Sequence, residues 1–331
     1  MCRIKFSIIG TGKITEKMIN GGKLCDDFSL YGVYSRTEKR AMEFQEKFNI
    51  PNRFTDLSAL AESETDAVYI ASPTALHFEQ ALFMLQHKKH VLCEKPACSN
   101  ARETEILLRT AKENGVVFLE AMRPVFSPGY ALIRENLPKI GKVRHVTFSY
   151  CQYSSRYDNF KRGIIENAFR PELSNGALMD IGVYPLHVLI SLFGKPTRVD
   201  SSSYQLEGSI DGCGAAILTY PDFLAEVTYS KISNSYLPCE IQGEKGSILF
   251  SPVGTPTDVA LYLRTGETKK LNVPACEWDM VYEISAFCDM VLGKQNPDIY
   301  NRDTLNTLSV LDTIRSQNKI IFPADEKTLE K

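Results

Sequence analysis

The chain has no Cys-x-x-Cys pair, and its nine cysteines are odd in number and scattered. That spacing argues against a disulfide framework and against a zinc site, and for a reducing compartment, with the cytoplasm as the expected location. Neither sign of charge is in excess. A formal net charge of −2 over 331 residues leaves no electrostatic footprint for nucleic acid or an anionic membrane surface. Long hydrophobic runs are missing too, since the apolar stretches read as strand-length and short of a membrane span. The apolar start at residues 4–9 ends in a glycine turn rather than a small-residue cleavage site, so it reads as a strand and not as a signal peptide. Internal repeats and low-complexity segments are also absent. What remains is an ordinary globular composition, 44% hydrophobic and 24% charged, at a length that suits two domains.

The first 120 residues alternate between strand and helix. Strands are expected at 4–9, 28–34, 66–71, 91–93 and 116–119, and helices at 13–20, 38–48, 75–86 and 100–114, with Asn100 as a cap and Gly115 as a stop. Alternation at this spacing predicts a doubly wound parallel sheet, and continuous apolar runs suit strands covered on both faces.

Gly10-Thr11-Gly12 follows the first strand and opens the first helix at Lys13 and Ile14. This is the context a dinucleotide fingerprint needs: the first glycine makes the tight turn, and the second lets backbone approach a pyrophosphate at the helix N-terminus. Thr15 stands at the third glycine position, which predicts looser helix–strand packing with the phosphate contacts kept. The second strand ends in Ser35-Arg36-Thr37 with no carboxylate for a ribose 2′-hydroxyl. Arg36 offers a planar fork for a 2′-phosphate or a surface for adenine, so NADP is favoured over NAD. Ser72-Pro73-Thr74 can line the same crevice. His77, one turn on, reads equally as a cofactor contact or as a capping or core-edge histidine. Glu94-Lys95-Pro96 ends the strand at 91–93, where open α/β sheets bind ligands, and the proline biases Lys95 toward extended backbone. Glu120 to Arg123 could floor a nicotinamide pocket, with Glu120 otherwise a hydrogen-bonded structural acid.

Beyond Arg123 the pattern changes. Period-2 alternation at 142–153 and strand-like stretches near 198–206, 214–220, 224–232, 238–242, 247–250 and 259–263 predict an α+β domain, residues 123–331, with a large, mainly antiparallel, open-faced sheet. The nucleotide-binding domain then occupies 1–122. A sheet with one face to cover predicts a homodimer or a larger homo-oligomer. One helix, 176–187, interrupts this half and carries Asp180, Tyr184 and His187 at spacings that predict a single polar stripe. The stripe reads either as a solvated outer face or as a functional wall.

Together Gly10-Thr11-Gly12, Ser72-Pro73-Thr74 with His77, Glu94-Lys95-Pro96 and the run from Gly176 to Tyr184 resemble the Gfo/Idh/MocA family of NAD(P)-dependent oxidoreductases. Within that family the chain is most similar to the branch of dimeric dihydrodiol dehydrogenases and glucose–fructose oxidoreductase, which has Asp-x-x-x-Tyr as found here at Asp180 and Tyr184. The resemblance implies an N-terminal Rossmann domain and a C-terminal sheet that forms dimers. It also implies hydride transfer to or from a small polyol, sugar, dihydrodiol or related carbonyl compound. In that chemistry Lys95 faces the reacting oxygen, Tyr184 is the favoured general acid/base with the reverse assignment open, and Asp180 orients hydroxyls or the lysine. Glu94 positions the nicotinamide ribose. A non-catalytic protein of the same fold that senses nucleotide or ligand is the alternative.

Overall fold

Continuous apolar runs in the N-terminal part become strands covered on both faces. The computed structural model describes residues 3–327. Its first unit comprises the chain up to Cys98, Arg102–Ala121 and Cys276–Arg302, and its second comprises Ser99–Ala101, Met122–Ala275 and the chain from Asp303 on.

In the first unit β1 (Ile4–Ile9), β2 (Phe28–Tyr34), β3 (Asn52–Phe54), β4 (Ala67–Ile70), β5 (His90–Glu94) and β6 (Phe118–Ala121) form one sheet in the order β3-β2-β1-β4-β5-β6. Every pairing is parallel. Every residue of β4 and β6 is buried, which explains why β4 reads as an unbroken apolar run and β6 is broken only by Glu120. Helices α1 (Lys13–Gly22), α2 (Glu38–Phe48), α3 (Leu57–Glu62), α4 (His77–Gln86) and α5 (Ala101–Asn114) make the crossovers. The strand order reverses between β1 and β4, and the carboxyl ends of those strands carry Gly10 and Ala71. Crevices at such reversals bind ligands.

The second unit holds β7 (Val143–Cys151), β8 (Arg198–Leu206), β9 (Ile210–Thr219), β10 (Leu224–Ser230), β11 (Cys239–Gly243), β12 (Gly246–Ser251), β13 (Asp258–Leu263) and β14 (Thr268–Leu271). Their order is β14-β13-β12-β11-β7-β10-β9-β8, antiparallel except for the parallel pair β7 and β10. Buried and accessible residues alternate along β12, as they must where one face meets a core and the other does not. The inner face presents Phe148, Val227, Tyr229, Ile241, Ile248 and Phe250, all buried. Helices α6 (Pro128–Asn136), α7 (Tyr157–Lys161) and α8 (Val183–Phe193) come from this part of the chain, followed by α9 (Val281–Val291), α10 (Asp298–Gln317) and α11 (Pro323–Glu326).

Three expectations are corrected. The domain boundary at residue 122 does not hold for the whole downstream chain, because residues 276–302 return to the first unit. There α9 covers an apolar face, with the Phe287 ring 5.7 Å from that of Phe6. A Cβ on Gly21 of α1 would lie 3.0 Å from the Val281 nitrogen, so any side chain there would press α9 outward by a few tenths of an ångström. Two strands were passed over. β3 is three residues long and shows no alternation. β14 has three exposed residues, Thr268, Lys269 and Lys270, and such charge on an edge strand blunts further pairing. Finally, Pro171–Phe193 is apolar and long enough to cross a membrane by composition, but 72% of its most apolar 18-residue window is buried inside the protein.

Candidate active site

The glycine turn is built for close backbone approach. Gly10 has φ +111°, and a Cβ there would meet the Ala71 carbonyl oxygen at 2.6 Å, so β4's exit loop packs directly on the turn. A Cβ on Gly12 would meet nothing within 4 Å. Gly12 is the N-cap of α1, and no side chain caps that helix. Its first-turn N–H groups and positive dipole end are therefore available to an anion. Beside them lies a depression of about 340 Å³ at Thr11, Gly12 and Lys13, whose far side carries the ion pairs Arg40–Glu43 and Lys47–Glu16. Thr15 departs from the looser packing expected of it: it is fully buried and donates its hydroxyl to the Gly10 oxygen at 3.1 Å, fastening helix to turn where a third glycine would only approach it. Ile14 is half-buried, and Lys13, Arg36 and Thr37 are exposed beside half-buried Ser35. These residues fit a dinucleotide: an uncapped helix end and open space over Gly12, with Lys13 and Arg36 exposed nearby.

The Lys95 turn is anchored at each neighbouring residue. Glu94 is buried, and its Oε1 accepts the Tyr69 hydroxyl at 2.5 Å. Burial, reinforced by the Glu94 charge, pushes the Tyr69 phenol well above its ordinary pKa, so it remains a donor. The Lys95–Pro96 peptide is cis. His77 is 1% exposed, with Nδ1 2.9 Å from the Pro96 oxygen and Nε2 2.8 Å from the Ser72 oxygen. A neutral imidazole has one N–H, so it donates to one of these carbonyl oxygens and only lies against the other. His77 is a buried histidine set between the Ser72-Pro73-Thr74 loop and the lysine turn. Burial lowers its pKa, against the pull of the two carbonyls. Ala97 donates its N–H to Glu120 Oε1 at 2.8 Å, and Glu120 is 1% exposed, which supports the structural reading of that acid. Lys95 itself is half-buried within this frame, as is Arg123 after β6.

In the second unit the helix expected at 176–187 is not uniform. Leu178–Gly182 forms a π turn that runs into α8. One extra residue in a turn rotates everything downstream by about 100°, and such turns recur at functional sites. Asp180 and Tyr184 stay half-buried and accessible, while His187 turns inward. Its Nδ1 lies 3.4 Å from Thr307 Oγ1, and burial drives its pKa down to about 3. The three-residue polar stripe is thus a pair, Asp180 and Tyr184, with His187 in the core. The Tyr150 ring lies 5.5 Å from that of Tyr184, tilted at 56° to it.

The π turn is held from beneath. Gly182 brings its backbone against Tyr229, where a Cβ would sit 3.0 Å from the ring. Asp211 Oδ2 accepts the Leu178 N–H at 2.6 Å. Gly176 has φ +147°, and a Cβ on it would collide with Asp211 at 2.0 Å. Burial raises the Asp211 pKa to about 6 despite these hydrogen bonds. Lys231, which the sequence reading passes over, is 3% exposed and pairs with Asp180 Oδ2 at 2.8 Å. It directly follows β10, a strand that mixes apolar residues with Glu226, Thr228 and Ser230, so no local signal marks it.

A family model for the NAD-binding Rossmann fold of an oxidoreductase family matches residues 4–122, and one for the GFO/IDH/MocA C-terminal domain matches residues 132–249. The chain belongs to the Gfo/Idh/MocA oxidoreductase family. A scyllo-inositol 2-dehydrogenase (NADP(+)) of Bacillus subtilis is 45% identical over 98% of this chain and 99% of that protein. The trans-1,2-dihydrobenzene-1,2-diol dehydrogenase of Mus musculus is 25% identical over 94% of this chain and 98% of that one. A solved 3-ketoreductase from Actinomadura kijaniata, in complex with NADP and TDP-benzene, matches with a TM-score of 0.84 at 24% identity, covering 96% of this chain and 98% of that chain. At that identity the likeness concerns the fold. As a family member the protein is an NAD(P)-dependent oxidoreductase, with its parallel sheet as the nucleotide-binding domain.

Proposed function

We propose that the protein is an NADP(H)-dependent dehydrogenase or reductase acting on the CH–OH group of a small polyol, with inositols foremost and sugars and dihydrodiols as the wider class. The observation that carries the reading is the Lys95 turn. A half-buried lysine stands at the carboxyl end of a nucleotide-binding sheet, and Tyr69, His77 and Glu120 tie down the residues around it. Such restraint suits a group that must meet a reacting oxygen in a fixed direction. The 45% identity to an NADP(+)-dependent scyllo-inositol dehydrogenase supports both the cofactor and the substrate class. Exposed Arg36 beside Ser35 and Thr37, with no carboxylate, supports a 2′-phosphate.

The nicotinamide of a dinucleotide held at the Gly10–Gly12 turn would supply or accept the hydride. Lys95 stabilises negative charge on the substrate oxygen, and Tyr184 exchanges the proton with that oxygen. Asp180 accepts hydrogen bonds from neighbouring substrate hydroxyls, which favours vicinal diols and ring polyols over simple alcohols. Glu94 acts at the nicotinamide ribose, and Gly10, Gly12, Ser72 and Thr74 line the dinucleotide. The open face of the second unit's sheet, with Tyr204 63% and Ile217 48% exposed amid small polar residues, suits a homodimer. A cytoplasmic setting goes with the scattered, odd-numbered cysteines.

The test is nicotinamide absorbance with NADP+ or NAD+ against inositol isomers, aldoses and cyclic diols. NADP+-linked oxidation of an inositol is expected. Lys95→Met and Tyr184→Phe should each lower kcat by roughly 1,000-fold with NADPH affinity unchanged. Tight NADPH binding with no turnover across the panel would replace this reading with a nucleotide-sensing protein of the same fold, and undiminished turnover in Lys95→Met would overturn the role given to Lys95.

A further inference from the structure

Lys231 closes β10 and is almost wholly buried, yet its ammonium serves three partners. Nζ lies 2.8 Å from Asp180 Oδ2, donates to the Ala168 carbonyl at 2.9 Å, and sits 4.8 Å from the centre of the Phe169 ring. Its main chain is equally committed. The Lys231 N–H donates to the Gly212 oxygen, and the Lys231 oxygen accepts the Ser154 N–H, each at 2.9 Å. One residue therefore grips both ends of the segment 154–169 and the carboxylate on the π turn.

That segment is not a loose strap. Phe169 and Ala168 pack with Ile210 in a small core of their own, joined by Tyr157, Phe160 and Leu206. The Phe160 and Phe169 rings are 5.2 Å apart. A buried cation placed against a carboxylate, a carbonyl and an aromatic face is costly to desolvate and does little for net stability compared with an apolar side chain. It does fix geometry, because each partner of a buried charge must stay where the charge can reach it.

We propose that Lys231 is a positioning residue that locks the Asp180 carboxylate and the segment 154–169 into one rigid wall of the substrate site. This rests on the reading of Asp180 as a contact to substrate hydroxyls. Lys231 touches neither substrate nor cofactor. With Asp180 Oδ2 held by the ammonium, the carboxylate is fixed in direction. The wall then selects a substrate whose adjacent hydroxyls match that direction, as on a cyclic polyol.

The test compares Lys231→Met, Asp180→Asn and the double variant in the full-length protein, by steady-state kinetics on the inositol oxidised by the wild type and by amide hydrogen exchange. Lys231→Met should lower kcat/KM about 100-fold, with KM for the polyol raised and KM for NADP+ unchanged. The double variant should be no worse than Asp180→Asn, since both changes remove one unit. Exchange at amides 154–169 should rise at least about tenfold in Lys231→Met. Lys231→Gln, which keeps an N–H for Ala168 but carries no charge to Asp180, replaces Lys231→Met if the latter does not fold, and should lose kcat/KM to the same order. Wild-type kcat/KM in the Lys231 variant, or losses that multiply in the double variant, would overturn the proposal. If the wild type oxidises no polyol, the underlying reading fails on its own account, and unchanged exchange at 154–169 in Lys231→Met still overturns the restraint proposed for Lys231.

Discussion

Tyr69 holds Glu94: the phenol oxygen of a fully buried tyrosine on β4 lies 2.5 Å from the carboxylate that ends β5. The residue before Lys95 is thus fixed from the neighbouring strand, and the direction of the lysine turn is set inside the sheet. Tyr69→Phe deprives a buried carboxylate of a donor and should lower unfolding free energy by about 1–3 kcal/mol. Urea denaturation of the two proteins checks this, and an unchanged midpoint would mean that Glu94 is served without Tyr69.

The two glycines of the nucleotide turn should fail in different ways. Gly10→Ala sets a Cβ 2.6 Å from the Ala71 oxygen at a positive φ, so it should reduce stability whether or not nucleotide is present. Gly12→Ala meets no protein atom within 4 Å and should unfold like the wild type while binding NADPH at least about tenfold more weakly, because the added methyl enters the space a pyrophosphate needs. Thermal melts without ligand and NADPH titrations separate the two, and wild-type NADPH affinity in Gly12→Ala would move the phosphate elsewhere.

Cofactor choice is assigned to Arg36, which is exposed at the end of β2. Arg36→Ala should raise KM for NADP+ by about 10–100-fold and leave KM for NAD+ within about threefold, since only the former carries a 2′-phosphate. Equal losses with both nucleotides would make Arg36 an adenine-stacking residue instead.

Two buried groups in the second unit pull stability in opposite directions with pH. His187 falls from 6.5 to about 3 on folding, so its contribution is present above pH 6.5 and is lost as pH falls toward 3, by about 5 kcal/mol in all. Asp211 rises from 3.8 to about 6, so its contribution is full below 3.8 and is lost as pH climbs through 6, by about 3 kcal/mol. Between about pH 6 and about pH 4 the two slopes cancel, near 1.4 kcal/mol per pH unit each. Relative to the wild type, Asp211→Asn should lose stability on acidification over that window, and His187→Gln should gain it. Urea curves at several pH values measure the differences, and parallel pH profiles for the three proteins would show that neither group titrates as described.

Much of the first unit was legible because its signals are local. A strand buried on both faces is an apolar run, and a phosphate turn is a pair of glycines after one. The lysine turn was equally plain, with a charged residue and a proline at the end of such a run. What escaped depends on partners distant in sequence. Nothing in the helical spacing of Asp180 and His187 announces a π turn, since that extra residue follows from Gly182 fitting against Tyr229. Lys231 looks like any solvated lysine until β10, Ala168 and Asp180 are brought together. β3 and β14 are too short and polar to register, and take their conformation from the strands they pair with.

The return of α9 to the first unit orders events during synthesis. Phe6 emerges among the first residues of the chain, while Phe287 beside it and the Val281 backbone against Gly21 come more than two hundred residues later. During synthesis the Phe6 flank of the first sheet can meet Phe287 only after α9 has emerged, behind the whole second sheet. Chains cut short before α9 lack that cover altogether and present a bare apolar flank to chaperones and proteases.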